Sequence, residues 1–182
     1  YHYYKIMPIT QLTYNLWRFE FTMFGCCVYL FKHDGKNILF DTGTKWNSLE
    51  LKKFLLELET PPEKIDLLIL THDHFDHVGN VSLFKNAKIY APKKDFPSEK
   101  FLDVKNLKLT GMRLIETPGH TKGGICLWFP KEKILFSGDT LFHHGVFGRT
   151  DLPGGNASEM RESLSKLTKL DFKILCCGHV GD

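Results

Sequence analysis

The sequence predicts an α/β fold built in layers. Two observations carry the prediction. Apolar runs of strand length alternate with stretches whose apolar residues fall at helical spacing. Five of those runs also end in a polar residue able to hold a ligand: Asp41, the loop that starts at His72, His120, Asp139 and His179. Strands that end in this way collect their polar residues along one edge of a sheet sandwich, and in open α/β sheets ligands bind at the carboxyl ends of strands.

In order along the chain, residues 1–10, rich in Tyr and Ile, suit an opening strand. Residues 26–31 and 38–40 are two further strands, and the Asp34-Gly35 pair between them is a hairpin signal that makes His33 a surface residue beside a turn. The second of these ends in Asp41-Thr42-Gly43. A helix is expected over 46–58, with Trp46, Leu49, Phe54, Leu55 and Leu58 on its spacing and Pro61-Pro62 as its stop. The strand 66–70 runs into Thr71-His72-Asp73-His74-Phe75-Asp76-His77-Val78-Gly79. A short helix over 78–84 and a small strand over 88–90 follow. Residues 92–104 are charged and contain Pro, which reads as a surface excursion shaping access to the site or as a connector. Strands resume at 107–109 and 112–115, the latter leading to Thr117-Pro118-Gly119-His120-Thr121. Two more occupy 124–129 and 134–136, and the second ends in Ser137-Gly138-Asp139-Thr140. A Gly-rich loop fills 145–155. The helix 156–170, with Met160, Leu164, Leu167 and Leu170 on one face, and the strand 172–175 lead to Cys176-Cys177-Gly178-His179.

Bulk composition narrows the class. A chain of 182 residues is one domain's worth, large enough to bury about 70% of its unfolded surface. Charged residues at 25% and hydrophobic residues at 42% are ordinary for a soluble globular protein. A net charge of +3 is too small to predict nucleic-acid binding, and no apolar run approaches the ~20 residues that span a bilayer. The first residues lack a basic n-region and an apolar h-region, so a cytoplasmic protein with a small-molecule substrate is expected. The five cysteines match neither zinc-finger spacing nor a secreted disulfide framework, and they read as small buried hydrophobes; Cys177, two residues before His179, is the one to watch.

The loop from His72 to His77 reads as half of a metal site. Neutral imidazole suits Zn, Fe, Cu and Ni, and carboxylate adds hard oxygen coordination. His72, His74 and His120 give a three-imidazole site; Asp76, His77 and His179 give a second; Asp139 has a carboxylate able to bridge two ions. Two such ions about 3.5–4 Å apart share a water whose pKa falls toward neutrality, giving a hydroxide at pH 7. Asp41 is left to accept a hydrogen bond from a ligand His or its loop.

These motifs, with Ser137-Gly138-Asp139-Thr140-Leu141-Phe142, Gly178-His179 and the segment Gly148-Arg149-Thr150-Asp151-Leu152-Pro153-Gly154-Gly155, resemble the metallo-β-lactamase-fold superfamily, and within it the glyoxalase II-like hydrolases. The resemblance covers about 34–179 and implies an αββα four-layer sandwich over 1–182 as a single domain, with a dinuclear site at one edge. The metals are two divalent ions, Zn first, with Fe or Mn as the alternatives. It implies the ligand roles given above, a catalytic part for Asp76 in orienting the nucleophile or moving a proton, and a structural ion pair between Arg149 and Asp151. His143 and His144, just past Asp139, are candidates for substrate contact. Glyoxalase II enzymes carry a further helical domain that binds glutathione, whereas this chain stops three residues after His179. A final helix is therefore expected beyond Asp182, and glutathione thioesters are not the expected substrate.

The function expected is that of a metal-dependent hydrolase using a dinuclear-metal-bound hydroxide on an ester or thioester. The alternative from another class is a mononuclear Fe persulfide dioxygenase, which shares the Gly-Arg-Thr-Asp segment and would hold its iron with His72, His120 and Asp139. A phosphodiesterase or nuclease ranks third. A structural zinc protein ranks last, because seven clustered ligands exceed a closed four-ligand cage.

Overall fold

In the computed structural model, which describes residues 8–98 and 100–180, two sheets stack face to face. The first has seven strands in sequence order: β1 (Ile9–Thr13), β2 (Leu16–Phe19), β3 (Val28–His33), β4 (Lys36–Phe40), β5 (Leu67–Ile69), β6 (Lys88–Ala91) and β7 (Leu102–Asp103). β1 to β4 form an antiparallel meander, and β4 to β7 run parallel. The second sheet orders β11 (Ile174–Cys177), β10 (Ile134–Gly138), β9 (Ile125–Phe129) and β8 (Arg113–Glu116), with only the β10–β11 pair parallel.

The pleat explains the layering, because successive strand residues face opposite sides. In β3, Tyr29 and Phe31 point between the sheets, where they meet Phe40, Ile69, Leu127, Phe129 and Phe136. Their neighbours Val28 and Leu30 point outward onto Leu51, Phe54 and Leu55 of helix α1 (Ser48–Glu57). On the far side, Cys126, Trp128 and Leu135 of the second sheet pack beneath Leu167 of helix α3 (Ala157–Leu167). Helix, sheet, sheet, helix is the αββα sandwich. Asn156 caps α3 by accepting bonds from the Ser158 and Glu159 amides. No helix of the described residues is long and apolar enough to cross a membrane.

Several elements differ from expectation, each for a local reason. Residues 1–7 of the expected opening strand lie outside the described residues. β2 carries no clear strand signal in the sequence: it is four residues long, and Arg18 interrupts its apolar character. The helix expected over 46–58 begins as a 3-10 turn, Lys45–Asn47, and its apolar Trp46 and Leu49 stay 64% and 80% exposed instead of joining the core. The helix expected over 78–84 starts earlier, as α2 (Phe75–Val78) inside the His loop, and resumes as the 3-10 turn Val81–Leu83. Residues 107–109 form no strand, yet Leu107 and Leu109 are buried in the inter-sheet core. His33 is held against Phe31 and Phe129, with Nε2 2.9 Å from the Thr110 carbonyl, so it is less exposed than a turn residue.

Candidate metal centre

β4, β5, β10 and β11 all point their carboxyl ends to the same edge. Asp41 follows β4, Thr71 and His72 follow β5, Asp139 follows β10, and His179 follows β11. His77 comes from α2 and His120 from the loop after β8. Two trios of donors result, His72 with His74 and His120, and Asp76 with His77 and His179, and within each trio the donor atoms lie within 4.8 Å of one another. Asp139 stands between them. Its Oδ1 is 3.2 Å from His77 Nε2, and its Oδ2 is 3.4 Å from His120 Nε2 and 3.5 Å from His179 Nε2.

Hydrogen bonds fix which ring nitrogen carries the proton. The Asp41 carboxylate accepts from the Thr71 amide at 2.8 Å and from the Thr71 hydroxyl at 2.7 Å, and its Oδ2 lies 2.7 Å from His77 Nδ1. A carboxylate accepts, so Nδ1 of His77 is the protonated nitrogen. The Thr71 hydroxyl has given its one hydrogen to Asp41, so it accepts from His72 Nδ1 at 3.0 Å. His120 Nδ1 lies 2.7 Å from the Arg149 carbonyl, which can only accept. In all three rings Nε2 is left free, and all three Nε2 atoms are buried without a hydrogen-bond partner, as is Asp139 Oδ1. A buried polar atom without a partner is costly. Divalent cations held by the two trios and Asp139 would satisfy all four, so the donor set fits metal.

The electrostatics agree. Burial pushes the His72 pKa well below the ordinary value, helped by His77, and keeps it the neutral ligand form. Burial opposes charge on His77 too, but Cys26, Asp139 and Asp41 outweigh it and raise its pKa well above the usual range. His179 is raised to about 9, burial being overcome by Asp139 and Asp76. Asp139 is held well below the carboxylate range by His77 and His179, against the effect of burial. This edge is built to hold positive charge beside ionised carboxylates.

Residues with no ligand character complete the support. The Thr42 amide and hydroxyl both donate to the His77 carbonyl, at 2.7 and 2.9 Å, and the Asn80 side chain donates to the carbonyls of Thr42 and Thr44. The Cys27 amide donates to the Gly178 carbonyl, and the Gly178 amide to that of Gly138, which aligns the chain into His179. Asp95, in the charged 92–104 segment, accepts from the Thr121 hydroxyl at 2.7 Å and the Gly123 amide at 2.6 Å and so ties down the loop that carries His120. The sequence gives no sign of this role, because a carboxylate beside Lys93 and Lys94 has the pattern of a solvated face. All five cysteines are buried and free; Cys177 donates to the His179 carbonyl at 3.2 Å.

An open cavity of about 490 Å³ lies over the donors. His143 and His144 are exposed on a 3-10 turn and do not line it; Phe142 and Phe147, on either side of that turn, do. Arg149 reaches the rim, where its guanidinium makes a two-pronged contact with Asp151 at 2.9 and 2.7 Å, both side chains being exposed.

Known proteins give the same picture. A probable metallo-hydrolase of Methanocaldococcus jannaschii is 36% identical over 147 residues, covering 79% of this chain and 71% of that protein. A hydroxyacylglutathione hydrolase of Francisella tularensis is 35% identical over 120 residues; the match covers 61% of this chain and spans about half, 47%, of that relative. Among solved structures, a metallo-beta-lactamase family protein of Thermus thermophilus superposes with a TM-score of 0.79 at 20% identity, over 94% of this chain and 75% of that one. A protein crystallised in a di-iron-bound form gives 0.74 at 24% identity, over 86% and 88%. The family model of the metallo-beta-lactamase superfamily matches residues 22–95 and 87–179. With the sandwich and the strand-end donors in place, the chain belongs to the metallo-beta-lactamase superfamily.

Proposed function

We propose that the protein is a metal-dependent hydrolase of an ester or thioester, with two divalent cations, Zn in the first place and Fe or Mn as alternatives. The observation that carries this reading is the donor set: three buried Nε2 atoms and one oxygen of the shared Asp139 carboxylate make no hydrogen bond, and the group opens on a cavity large enough for a small molecule. His72, His74 and His120 would hold one ion, Asp76, His77 and His179 the other, and Asp139 both. Bound there, the ions supply a water acidified toward neutrality and polarisation of the carbonyl under attack.

The chain's own residues set the rest. Asp76 is 6% exposed, and its Oδ2 lies 3.2 Å from His179 Nε2. Burial would raise its pKa, yet His179 and His77 bring it below the usual value. It therefore stays ionised and suits orienting a water at its free oxygen better than storing a proton. Asp41, directly at His77 and through Thr71 at His72, holds two rings in one tautomer before substrate binds. The similarity to a metallo-hydrolase and a hydroxyacylglutathione hydrolase supports the reaction class.

The test is metal content by elemental analysis of protein purified without chelator, with turnover of ester and thioester panels. About two equivalents per chain, activity lost on chelation and regained with metal, and loss of both in Asp139→Ala with the fold retained are expected. Full turnover in metal-stripped protein would sink the reading; a single iron with thiol-dependent oxygen uptake would replace it with the dioxygenase.

A further inference from the structure

The walls of the cavity differ in kind from its floor. Phe24, Phe75, Phe142, Phe147 and Leu152 stand around the donors. Phe24 and Phe75 have ring centroids 6.1 Å apart. Phe24 stacks on the His179 ring at 5.9 Å and 17°, and Phe142 meets the same ring edge-on at 5.9 Å and 88°. Two of the four rings are thus seated on a candidate metal ligand, and the collar is continuous with the donors. Phe24, Phe75 and Phe147 remain 61%, 62% and 48% exposed. Phenyl rings left this open around a polar floor are an apolar surface waiting for a partner. The one permanent cation on the wall, Arg149, already faces Asp151. Among the described residues, the wall itself offers an anionic substrate no unpaired guanidinium or ammonium group.

We infer that the Phe24–Phe75–Phe142–Phe147 collar selects an uncharged substrate with an apolar acyl group, aliphatic or aryl, and disfavours a charged conjugate such as a glutathione thioester. This rests on the hydrolase reading and specifies its substrate. The carbonyl would be polarised by the cations that the floor residues would hold, and the acyl chain it carries is drawn from water against the rings. A cavity of about 490 Å³ takes an acyl group of six to eight carbons with room for a small leaving group.

The experiment uses thioesters of one small neutral thiol, with acetyl, butyryl, hexanoyl and phenylacetyl groups, beside a glutathione thioester, on the metal-loaded protein. kcat/KM should climb about fourfold per added methylene up to hexanoyl, the worth of burying one methylene. Phe75→Ser and Phe147→Ser, both at exposed positions that spare the core, should cut the hexanoyl-to-acetyl ratio at least tenfold. Binding is read separately, as chemical-shift changes on titrating hexanoate and acetate. Hexanoate should bind more tightly than acetate in the parent and lose that advantage in both variants. If no thioester turns over but the carboxylate preference holds, the hydrolase reading falls and the collar stands. A flat acyl series, a glutathione thioester preferred over hexanoyl, or a hexanoyl-to-acetyl ratio unmoved by either variant would overturn the collar while leaving hydrolysis intact.

Discussion

The two sheets contribute unequal halves to the candidate metal centre. The half from the first sheet is locked by side chains: Asp41, Thr71, His72 and His77 are each no more than 3% exposed and share one closed hydrogen-bond network. The half from the second sheet is held from outside. His120 leans on a main-chain carbonyl of an exposed loop, and His179, 27% exposed at its side chain, is placed by ion pairs and ring contacts. A side-chain network sets geometry before anything binds. A loop carbonyl and a pair of rings allow the opposite wall to adjust as a substrate enters. The first half is therefore the foundation of the site and the second its adaptable face.

Breaking the foundation should have the largest effect. Asp41→Ala leaves the His77 Nδ1 and the Thr71 amide unpaired in a buried setting and takes the acceptor from the Thr71 hydroxyl, which costs about 3–5 kcal/mol. Asp41 also has φ of 57°, a left-handed conformation that Asp tolerates better than Ala. Urea denaturation should show the loss, and metal content should fall with it. A stability change under ~1 kcal/mol would mean that the network is ornamental and the contrast between the halves false.

Next comes the seam between the halves. A Cβ at Gly178 would overlap Asp139 Oδ1 and lie 2.8 Å from His77 Cε1. Gly178→Ala should cost roughly 1–3 kcal/mol as an overpacking change. Because it displaces the one carboxylate common to both trios, it should weaken metal binding by at least about tenfold. Isothermal titration of metal into stripped protein measures this; unchanged affinity would show that Asp139 has room to move.

A smaller effect is expected from the tether of the adaptable half. Asp95→Ala removes two bonds to the His120 loop, worth about 1–2 kcal/mol together. Metal affinity should fall, but by less than the roughly tenfold cost of removing a direct partner of a ligand imidazole. Equal losses in Asp95→Ala and Asp41→Ala would erase the distinction between the two halves.

The contrast also explains what the sequence made legible. Strand-end donors could be read because an apolar run followed at once by His or Asp is a local signal, and Asp41 stood out by the same rule. Support that depends on distant pairing could not be read. Asp95 meets Thr121 and Gly123 only after the chain has crossed from one sheet to the other. Leu107 and Leu109 have the alternation of a strand, yet they enter the core as a loop, with apolar burial serving where hydrogen-bond pairing does not. Nothing local in the sequence marks the phenylalanines of the collar, since only tertiary structure separates the buried Phe40 from Phe75 at 62% exposed.

The smallest effect belongs to the outermost contact. Asp151 has a pKa lowered to about 2 by its hydrogen bonds with Arg149. A carboxylate depressed below its unfolded value near 3.8 stabilises the fold above about pH 4, and that contribution disappears as the pH falls toward 2. Both partners are exposed, so water and salt screen the pair. Asp151→Asn should therefore leave the denaturation midpoint unchanged at neutral pH in physiological salt. At low salt it should show a slight deficit that closes on acidification. Metal affinity should hold as well, because His120 is anchored by the Arg149 carbonyl and not by its guanidinium. A loss of metal comparable to that of Asp41→Ala would mean that the ion pair shapes the carbonyl's position, and that the second half of the site is as firmly built as the first.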